Sequence, residues 1–400
     1  MKITVVTSKL DMTGGGSNFS LELLARLLSN RRHDVSILTM QPKKNNLPQN
    51  REFDIITPPE NRFGTRLGNQ EHVYRSMRRY SDDTNLFHLY GPSMLPGAGF
   101  FCKQNLTTPV VGRLNTYTNF CVNLNEMDGE CHEGCNIRSK FKHQDANLSK
   151  RIAKLPFYAS RTYIEPSLSS ELDQYFAISP AVKEIYVEAG FPEDRITVVP
   201  NFLDPNFGLE NNDGQSTQDE SVLSVLYVGR IIKAKGIDCL IRALARTDEI
   251  QAKIVGTGEA TAELQSLAAD LDLQDRVHFE GRVRHEELPR YYAQADVFVH
   301  PARWPEPFGR TILESFQCGT TAIVSDTGGP PWIVGDAGQT FPPDDVKRLA
   351  EILVELRDNP NRIDEMEQNC QSQLDRFRPE NVVAKIESQY KEVTTPTRPK

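Results

Sequence analysis

Short runs rich in Val and Ile, separated by stretches with helical spacing of apolar residues, recur along this chain and restrict its fold more than any other feature. They fall at 3–7, 35–39, 53–57, 86–90, 109–112, 175–178 and 196–199 in one half, and at 222–228, 252–255, 277–279, 297–300 and 321–325 in the other. Continuous apolar runs of this length read as parallel strands covered on both faces by helices. The expected class is therefore α/β, and 400 residues supply two such domains at ~150 residues each.

In the second half, Glu306 and Glu314 in Pro305-Glu306-Pro307-Phe308-Gly309-Arg310-Thr311-Ile312-Leu313-Glu314 straddle the expected start of a short helix. Gly309 allows close approach of backbone to a ligand, and Gly319 supplies a stop. One carboxylate then lies on the entry loop and the other just inside the helix, with unpaired amides from Gly309 to Thr311 between them. Those amides suit a phosphate, and each carboxylate suits sugar or ribose hydroxyls, so a nucleotide sugar has the required parts. On spacing alone, an amphipathic helix with both glutamates solvated fits equally well. Upstream, Leu226-Tyr227-Val228 reads as a strand end, followed by Gly229-Arg230 and Lys235-Gly236 before a helix over 237–245. Arg230 and Lys235 thus sit where open α/β sheets bind ligands, and two cations there suit a diphosphate; surface charge is the alternative.

Near the start, Phe19, Leu23, Leu24, Leu27 and Leu28 repeat at helical spacing after Gly14-Gly15-Gly16, with Ser17 as the expected N-cap. The glycines either aim free amides at a ligand or make a tight turn.

In this order the motifs resemble the retaining glycosyltransferases of family 4, within glycosyltransferase group 1. Their GT-B fold sets two Rossmann-like domains face to face across a cleft. The resemblance runs from Gly14-Gly15-Gly16 through Ser179-Pro180-Ala181-Val182 and Val199-Pro200-Asn201-Phe202-Leu203-Asp204. It continues through Gly229-Arg230, Lys235-Gly236, Gly256-Thr257-Gly258, Phe279-Glu280-Gly281 and the Glu306 to Glu314 segment, to Cys318-Gly319. It implies an acceptor-side domain over 1–205, a donor-binding domain over 206–378 and a helix over 379–393 crossing back to the first domain. Catalytic roles fall on Arg230, Lys235 and Glu306. Donor contacts fall on Gly15, Gly16, Arg282, Val283, Phe308, Gly309, Arg310, Thr311 and Glu314, with Glu306 on the sugar and Glu314 on the ribose. The implied reaction is transfer of a sugar from a nucleotide sugar, UDP- or GDP-linked in preference, to a glycan, glycolipid or lipid-linked acceptor, with retention and with no cofactor or metal. Cell-envelope or surface-glycan synthesis is the expected setting.

The chain departs from the family at Asn115, where a cleft histidine is common and where an amide cannot act as acid or base, and at Trp332, where an acid is common. His88, Tyr90 and Asn115 are the remaining candidates for the acceptor side. A non-catalytic nucleotide-sugar-binding relative and a GT-B epimerase are the competing readings. A nicotinamide dehydrogenase lacks its Gly-x-Gly-x-x-Gly signature after the first strand.

Composition narrows the partners. Net charge is −8, which disfavours nucleic acid. Between 137 and 163, however, Arg138, Lys140, Lys142, Lys150, Arg151, Lys154 and Arg161 face a lone acid, Asp145. That stretch is a solvated face or a contact for an anionic membrane surface. No run reaches the roughly 20 apolar residues that span a bilayer, and the first strand follows Met1 without a signal-like stretch, so the expectation is a cytoplasmic protein, peripheral at the inner face of the cell membrane. Cys102, Cys239, Cys318 and Cys370 read as isolated apolar residues. Cys121, Cys131 and Cys135 share a loop over 121–136 with His132, where free thiols, a local disulfide or a zinc site are open readings. Asp270-Leu271-Asp272 has the form of a metal motif but reads as solvated charge at a helix end. Residues 208–220 read as a polar surface loop, and 394–400 as a disordered tail.

Overall fold

The computed structural model describes residues 1–10, 15–41, 52–59, 66–104, 107–117, 148–208 and 222–395. Cys121, Cys131, Cys135, the basic residues Arg138, Lys140 and Lys142, and nearly all of the polar loop and of the tail lie outside these residues. The chain forms two compact units, one from residues up to Asn201 together with those from Pro379 onward, the other over Phe202–Arg378.

Each unit is built on a parallel sheet. The first contains β1 (Lys2–Thr7), β2 (Asp34–Thr39), β3 (Asp54–Ile56), β4 (Leu86–Leu89), β5 (Val110–Leu114), β6 (Gln174–Ala177) and β7 (Ile196–Val198), in the order β3-β2-β1-β4-β5-β6-β7. The second contains β8 (Leu223–Val228), β9 (Ile250–Val255), β10 (Val277–Gly281), β11 (Val297–His300), β12 (Thr321–Ser325) and β13 (Gly338–Phe341), in the order β10-β9-β8-β11-β12-β13. β1, β4, β8 and β11 are buried almost throughout, as strands covered by helices on both faces must be. The strand order reverses between β1 and β4 in the first unit and between β8 and β11 in the second. At such switch points the connections leave on opposite faces and open a crevice at the carboxyl ends of the strands.

Two local expectations differ from the structure. β13 carries no Val/Ile run: of its Gly-Gln-Thr-Phe residues only Phe341 is buried. The strand is held by backbone closeness instead, since a Cβ on Gly338 would lie 1.9 Å from the Ala322 carbonyl oxygen. Ser17 is not an N-cap, because the first helix spans Gly15–Asn30 and takes Gly15, Gly16 and Ser17 into its first turn. There the amides have no intrahelical partner in any case. Leu21, Leu24, Ala25 and Leu28 supply the buried face of that helix.

The helix Pro379–Thr394 belongs to the first unit, where it packs on the first helix and over the sheet. Glu387 pairs with Arg31 at 2.7 Å and with His33 Nε2 at 2.9 Å, and Gln389 Oε1 accepts from Gln174 at 2.7 Å. Tyr390 is fully buried, and its hydroxyl lies 2.6 Å from His88 Nδ1 on β4. Cys239 and Cys370 are buried, and burial pushes both thiols up to about 12, in keeping with packing rather than reactivity. Among the described residues, no helix is long and apolar enough to cross a membrane.

Removing the Tyr390 hydroxyl strands a buried ring nitrogen of His88 without its hydrogen bond. Tyr390→Phe should therefore lower unfolding stability by about 1–3 kcal/mol, measured by urea denaturation of the full chain; an unchanged midpoint would show that this bond contributes nothing.

Candidate active site

In the second unit the switch-point loops are set by backbone contact. After β8, the Tyr227 hydroxyl donates to the Arg230 carbonyl at 2.9 Å, and a 3₁₀ turn over Lys233–Lys235 leads to Gly236, whose φ is 63°. A Cβ on Gly236 would lie 2.0 Å from the Pro301 carbonyl, so this loop abuts the end of β11 directly. Gly256 and Gly258 brace it from the other side. A Cβ on either would fall 1.8 Å from Gly229 O or 2.0 Å from Ile231 O. The backbone bonds Ile231 N to Thr257 O and Ala260 N to Ile231 O, both 3.1 Å, complete the brace. Gly256-Thr257-Gly258, weak as a motif, thus has a defined role: it lets two loops touch where any side chain would part them. Arg303 fastens the same loop. It bonds Asp238 at 2.7 and 2.5 Å, Asp344 at 2.6 Å and the Lys233 carbonyl at 2.9 Å.

On this platform Lys235 donates to Glu306 Oε2 in an ion pair in which each side chain is 17% exposed. Glu306 sits on a loop held from behind. The Gly329 amide donates to its carbonyl at 2.7 Å, and a Cβ on Gly328, φ 70°, would lie 2.4 Å from the same oxygen. Burial pushes the Glu306 carboxyl up, but the charge of Lys235, with hydrogen bonds from Lys235 and Trp304, outweighs it and holds the group below the usual range. His300, buried at the end of β11, is lowered to about 4 by burial and by Lys235, so it is neutral at physiological pH. Lys235 Nζ also lies 5.6 Å from the Trp304 ring centroid. Arg230 is exposed on the loop between β8 and Lys235.

Gly309, φ 113°, caps the helix Arg310–Gln317. The amides of Arg310 and Thr311 fall in its first turn, where partial positive charge gathers. Glu314 lies one turn further in, accepting from the Tyr292 hydroxyl at 3.0 Å and standing 3.5 Å from His285 Nε2. The structure therefore places the glutamates on either side of the helix start. Each already has a partner, which the sequence did not disclose: Tyr292 is 22 residues from Glu314, and no spacing rule connects them. Phe308 is buried edge-on to Phe377 at 5.8 Å, so its side chain serves the core. Arg282 is exposed and Val283 half-buried on the loop after β10.

Trp332 has an account of its own. The Arg376 guanidinium lies 4.4 Å over its ring, Phe377 meets it edge-on at 5.5 Å, and Arg376 donates to the Trp332 carbonyl at 3.2 Å. An aromatic face is what this arginine stacks against.

At the switch point of the first unit, Gly15 and Gly16 open the helix after β1. His88 is fully buried on β4. Burial, then the nearby Arg113 charge, lowers it to about 3, which fits a neutral core histidine and removes it from any exposed surface. Tyr90 is buried and Asn115 half-buried. His88 Nε2, Tyr90 Oη and Asn115 Oδ1 are buried atoms without a hydrogen-bond partner among the described residues. Arg113, which the sequence did not single out, is fully buried, bonds Pro200 O at 2.8 Å and Asn201 Oδ1 at 3.0 Å, and lies 5.4 Å over the Tyr90 ring.

Residues 14–207 match glycosyltransferase family 4, and residues 210–373 match the family of glycosyl transferases group 1. Among curated relatives, a GDP-mannose-dependent monoacylated alpha-(1-6)-phosphatidylinositol monomannoside mannosyltransferase of Corynebacterium glutamicum is 35% identical over 144 residues, covering 33% of this chain and 37% of the relative. The phosphatidylinositol N-acetylglucosaminyltransferase gpi3 subunit of Schizosaccharomyces pombe is 27% identical over 189 residues, covering 46% and 41%. The chain thus spans less than half the length of these relatives. Among solved structures, a UDP complex of Anabaena HepE superposes with TM-score 0.71 at 20% identity, covering 98% of this chain and 100% of that one. Sucrose-phosphate synthase from Thermosynechococcus elongatus gives TM-score 0.71 at 20% identity, with 98% and 99% coverage. These likenesses establish a GT-B fold.

The His285–Glu314 contact carries a pH dependence. The hydrogen bond to Glu314 raises the His285 pKa; burial opposes this, the charges of Glu314 and Asp204 add to it, and Arg310 works against it. A raised value means that the stabilisation is full below the ordinary ~6.5 and is lost as pH rises through the higher folded value. His285 is 54% exposed, so the effect is less than about 1 kcal/mol after screening. The stability difference between the parent chain and His285→Gln should shrink over that window in urea melts; a pH-independent difference would contradict the pairing.

Proposed function

Because the chain belongs to the group 1 glycosyltransferases, with an amino-terminal half of family 4, we propose that it transfers a sugar from a nucleotide sugar to a glycan, glycolipid or lipid-linked acceptor, with retention and without a metal. The observation that carries this reading is the Lys235–Glu306 pair at a strand-order switch point, with Arg230 on the loop that carries Lys235 and the first-turn amides of the helix Arg310–Gln317 following Glu306. Breaking the bond between the anomeric carbon and a diphosphate leaves negative charge on the departing oxygen. Arg230, Lys235 and the amides at Gly309, Arg310 and Thr311 supply fixed positive potential to meet it, the work a metal would otherwise do. Glu306, held ionised, accepts hydroxyls of the transferred sugar, and Glu314 those of the ribose. Backbone at Arg282, Val283 and Phe308 meets the base and the diphosphate. In the first unit, the amides at Gly15 and Gly16 and the unpartnered polar atoms of Tyr90 and Asn115 are assigned to ligand contact. The UDP complex of the HepE structure and the GDP-mannose dependence named for the Corynebacterium relative support UDP- or GDP-sugars as donors. The phosphatidylinositol substrates named for the relatives support a lipid acceptor in envelope or surface-glycan synthesis.

A lipid acceptor fits a protein that works in the cytoplasm at the inner face of the membrane. The short helices Leu148–Ala153 and Leu155–Ala159 join exposed Leu148, Ile152 and Leu155 to the cations Lys150, Arg151 and Lys154. Arg161 is not part of this surface: it is buried, with its guanidinium 5.9 Å over Phe157.

Arg230→Ala and Lys235→Ala should each lower turnover at least about tenfold, since a lost contact to developing charge in a dry site costs on the order of 2–4 kcal/mol. The readout is donor hydrolysis across UDP-, GDP- and ADP-sugars with EDTA present. Unchanged kinetics in the folded double variant would overturn the donor assignment, and loss of activity in EDTA restored by added metal would overturn the metal-free chemistry. Replacing Lys150, Arg151 and Lys154 with Gln should weaken salt-sensitive co-sedimentation with anionic vesicles; negligible binding by both proteins would remove the membrane reading and leave the transferase reading intact.

A further inference from the structure

Among the described residues, each side-chain oxygen of Glu314 has one contact, and the two contacts come from opposite sides. Oε2 accepts from the Tyr292 hydroxyl at 3.0 Å, and Oε1 stands 3.5 Å from His285 Nε2. Tyr292 is fully buried; burial, then the Glu314 charge, raises its hydroxyl well above the ordinary range, so it remains a donor. A carboxylate offers about four acceptor positions, two to an oxygen. One partner on each oxygen resists rotation of the group and leaves one position per oxygen for a ligand. The Glu314 side chain is 14% exposed, enough for a ligand to reach those positions. Two vicinal hydroxyls, as on a ribose, present two donors side by side to match them.

The partners of Glu314 are fixed in their turn. Tyr292 lies on the helix Leu288–Ala293, with its carbonyl accepting from Thr320 Oγ1 at 2.7 Å and its ring edge-on to Phe298 at 5.6 Å. His285 is on the loop after β10, where a half-exposed imidazole by itself would sample several rotamers. Here the Phe207 ring lies 4.9 Å from the imidazole and meets Tyr292 edge-on at 6.0 Å, so one buried phenylalanine backs both partners. The Phe207 segment is fastened to the helix that carries Glu314. Gln317 Nε2 donates to the Asp204 carbonyl at 2.6 Å, and a Cβ on Gly208 would lie 3.5 Å from Cys318 Sγ. A plain surface ion pair contributes little and needs no such support.

We propose that His285 is a positioning residue for donor selection: backed by Phe207, it acts with Tyr292 to hold the Glu314 carboxylate square to the two ribose hydroxyls, so that the site selects ribonucleotides over nucleotides lacking that diol. This rests on the donor-site reading, in which Glu314 meets the ribose, and adds what makes that carboxylate selective. A site whose polar groups are aimed at a hydroxyl rejects the analogue lacking it, because those groups are then left unpaired. A carboxylate free to turn loses part of that selectivity, since it must be ordered each time a ligand binds.

The test measures binding of UDP and 2′,3′-dideoxy-UDP, and of the matching GDP pair, to the full chain by calorimetry. The parent should prefer the ribonucleotide. His285→Ala should weaken ribonucleotide binding on the order of tenfold and leave dideoxynucleotide binding within about twofold of the parent. His285→Gln, whose amide can donate where Nε2 does, should keep most of the preference, and Phe207→Leu should fall between the two. With its side chain 54% exposed, His285 can be replaced by Ala with the thermal midpoint close to the parent's. Equal weakening of both nucleotides by His285→Ala would mark a structural role and overturn the proposal. An unchanged preference in His285→Ala, with the preference lost in Glu314→Ala, would also overturn it and leave the ribose assignment intact. A parent that binds both members of each pair equally would remove the ribose assignment, and one that binds neither UDP nor GDP would remove the donor reading itself; the proposal falls with either.

Discussion

Contact of bare backbone with bare backbone is the constraint on which the site depends. Gly236 against Pro301, Gly256 against Gly229, Gly258 against Ile231 and Gly328 against Glu306 each place a carbonyl where a Cβ would need to be. These contacts draw the loops after β8, β9, β11 and β12 into one rigid rim. Four of the positions fix more than a turn: they set the distance between the strand that presents Lys235 and the strand that presents Glu306. A rim assembled from side chains would leave that distance to rotamers; one assembled from main chain sets it by covalent geometry.

The rim explains why an ion pair can stand there. Removing two charges from water is costly, and their attraction offsets the loss only with good geometry and further bonds. Lys235 and Glu306 meet these conditions while remaining partly open to solvent. Neutral His300 beneath them adds no competing charge. In the proposed reaction the cation can turn toward phosphate and the carboxylate toward hydroxyls without either being abandoned in the interior.

Much of this was legible in the sequence. The Val/Ile runs located β1 through β12, the central ones because a strand buried on both faces must be apolar throughout. β13 escaped because an edge strand needs few apolar residues. The glycines marked tight loops at the ends of β8, β9 and β11, since positive φ and close approach leave a compositional trace. What the sequence hid were contacts between distant positions: Tyr292 and His285 on Glu314, Arg113 beneath Tyr90, and Tyr390 on His88. His88 read as a surface candidate because a histidine at a strand end looks the same whether it meets solvent or a tyrosine from the opposite end of the chain. Trp332 looked anomalous until Arg376 supplied its partner.

The bond between Tyr390 and His88 also bears on how the chain comes to be folded at all. The first unit is discontinuous: its sheet is made early in synthesis, but the helix that covers His88 and Phe176 emerges after the whole of the second unit. Domains ordinarily mature in the order in which they leave the ribosome. Here the order of completion is inverted. The second unit has every strand it needs while the first still exposes a strip of its interior, so the nascent chain passes through an interval in which its finished part is the later one and its earlier part is waiting for a lid.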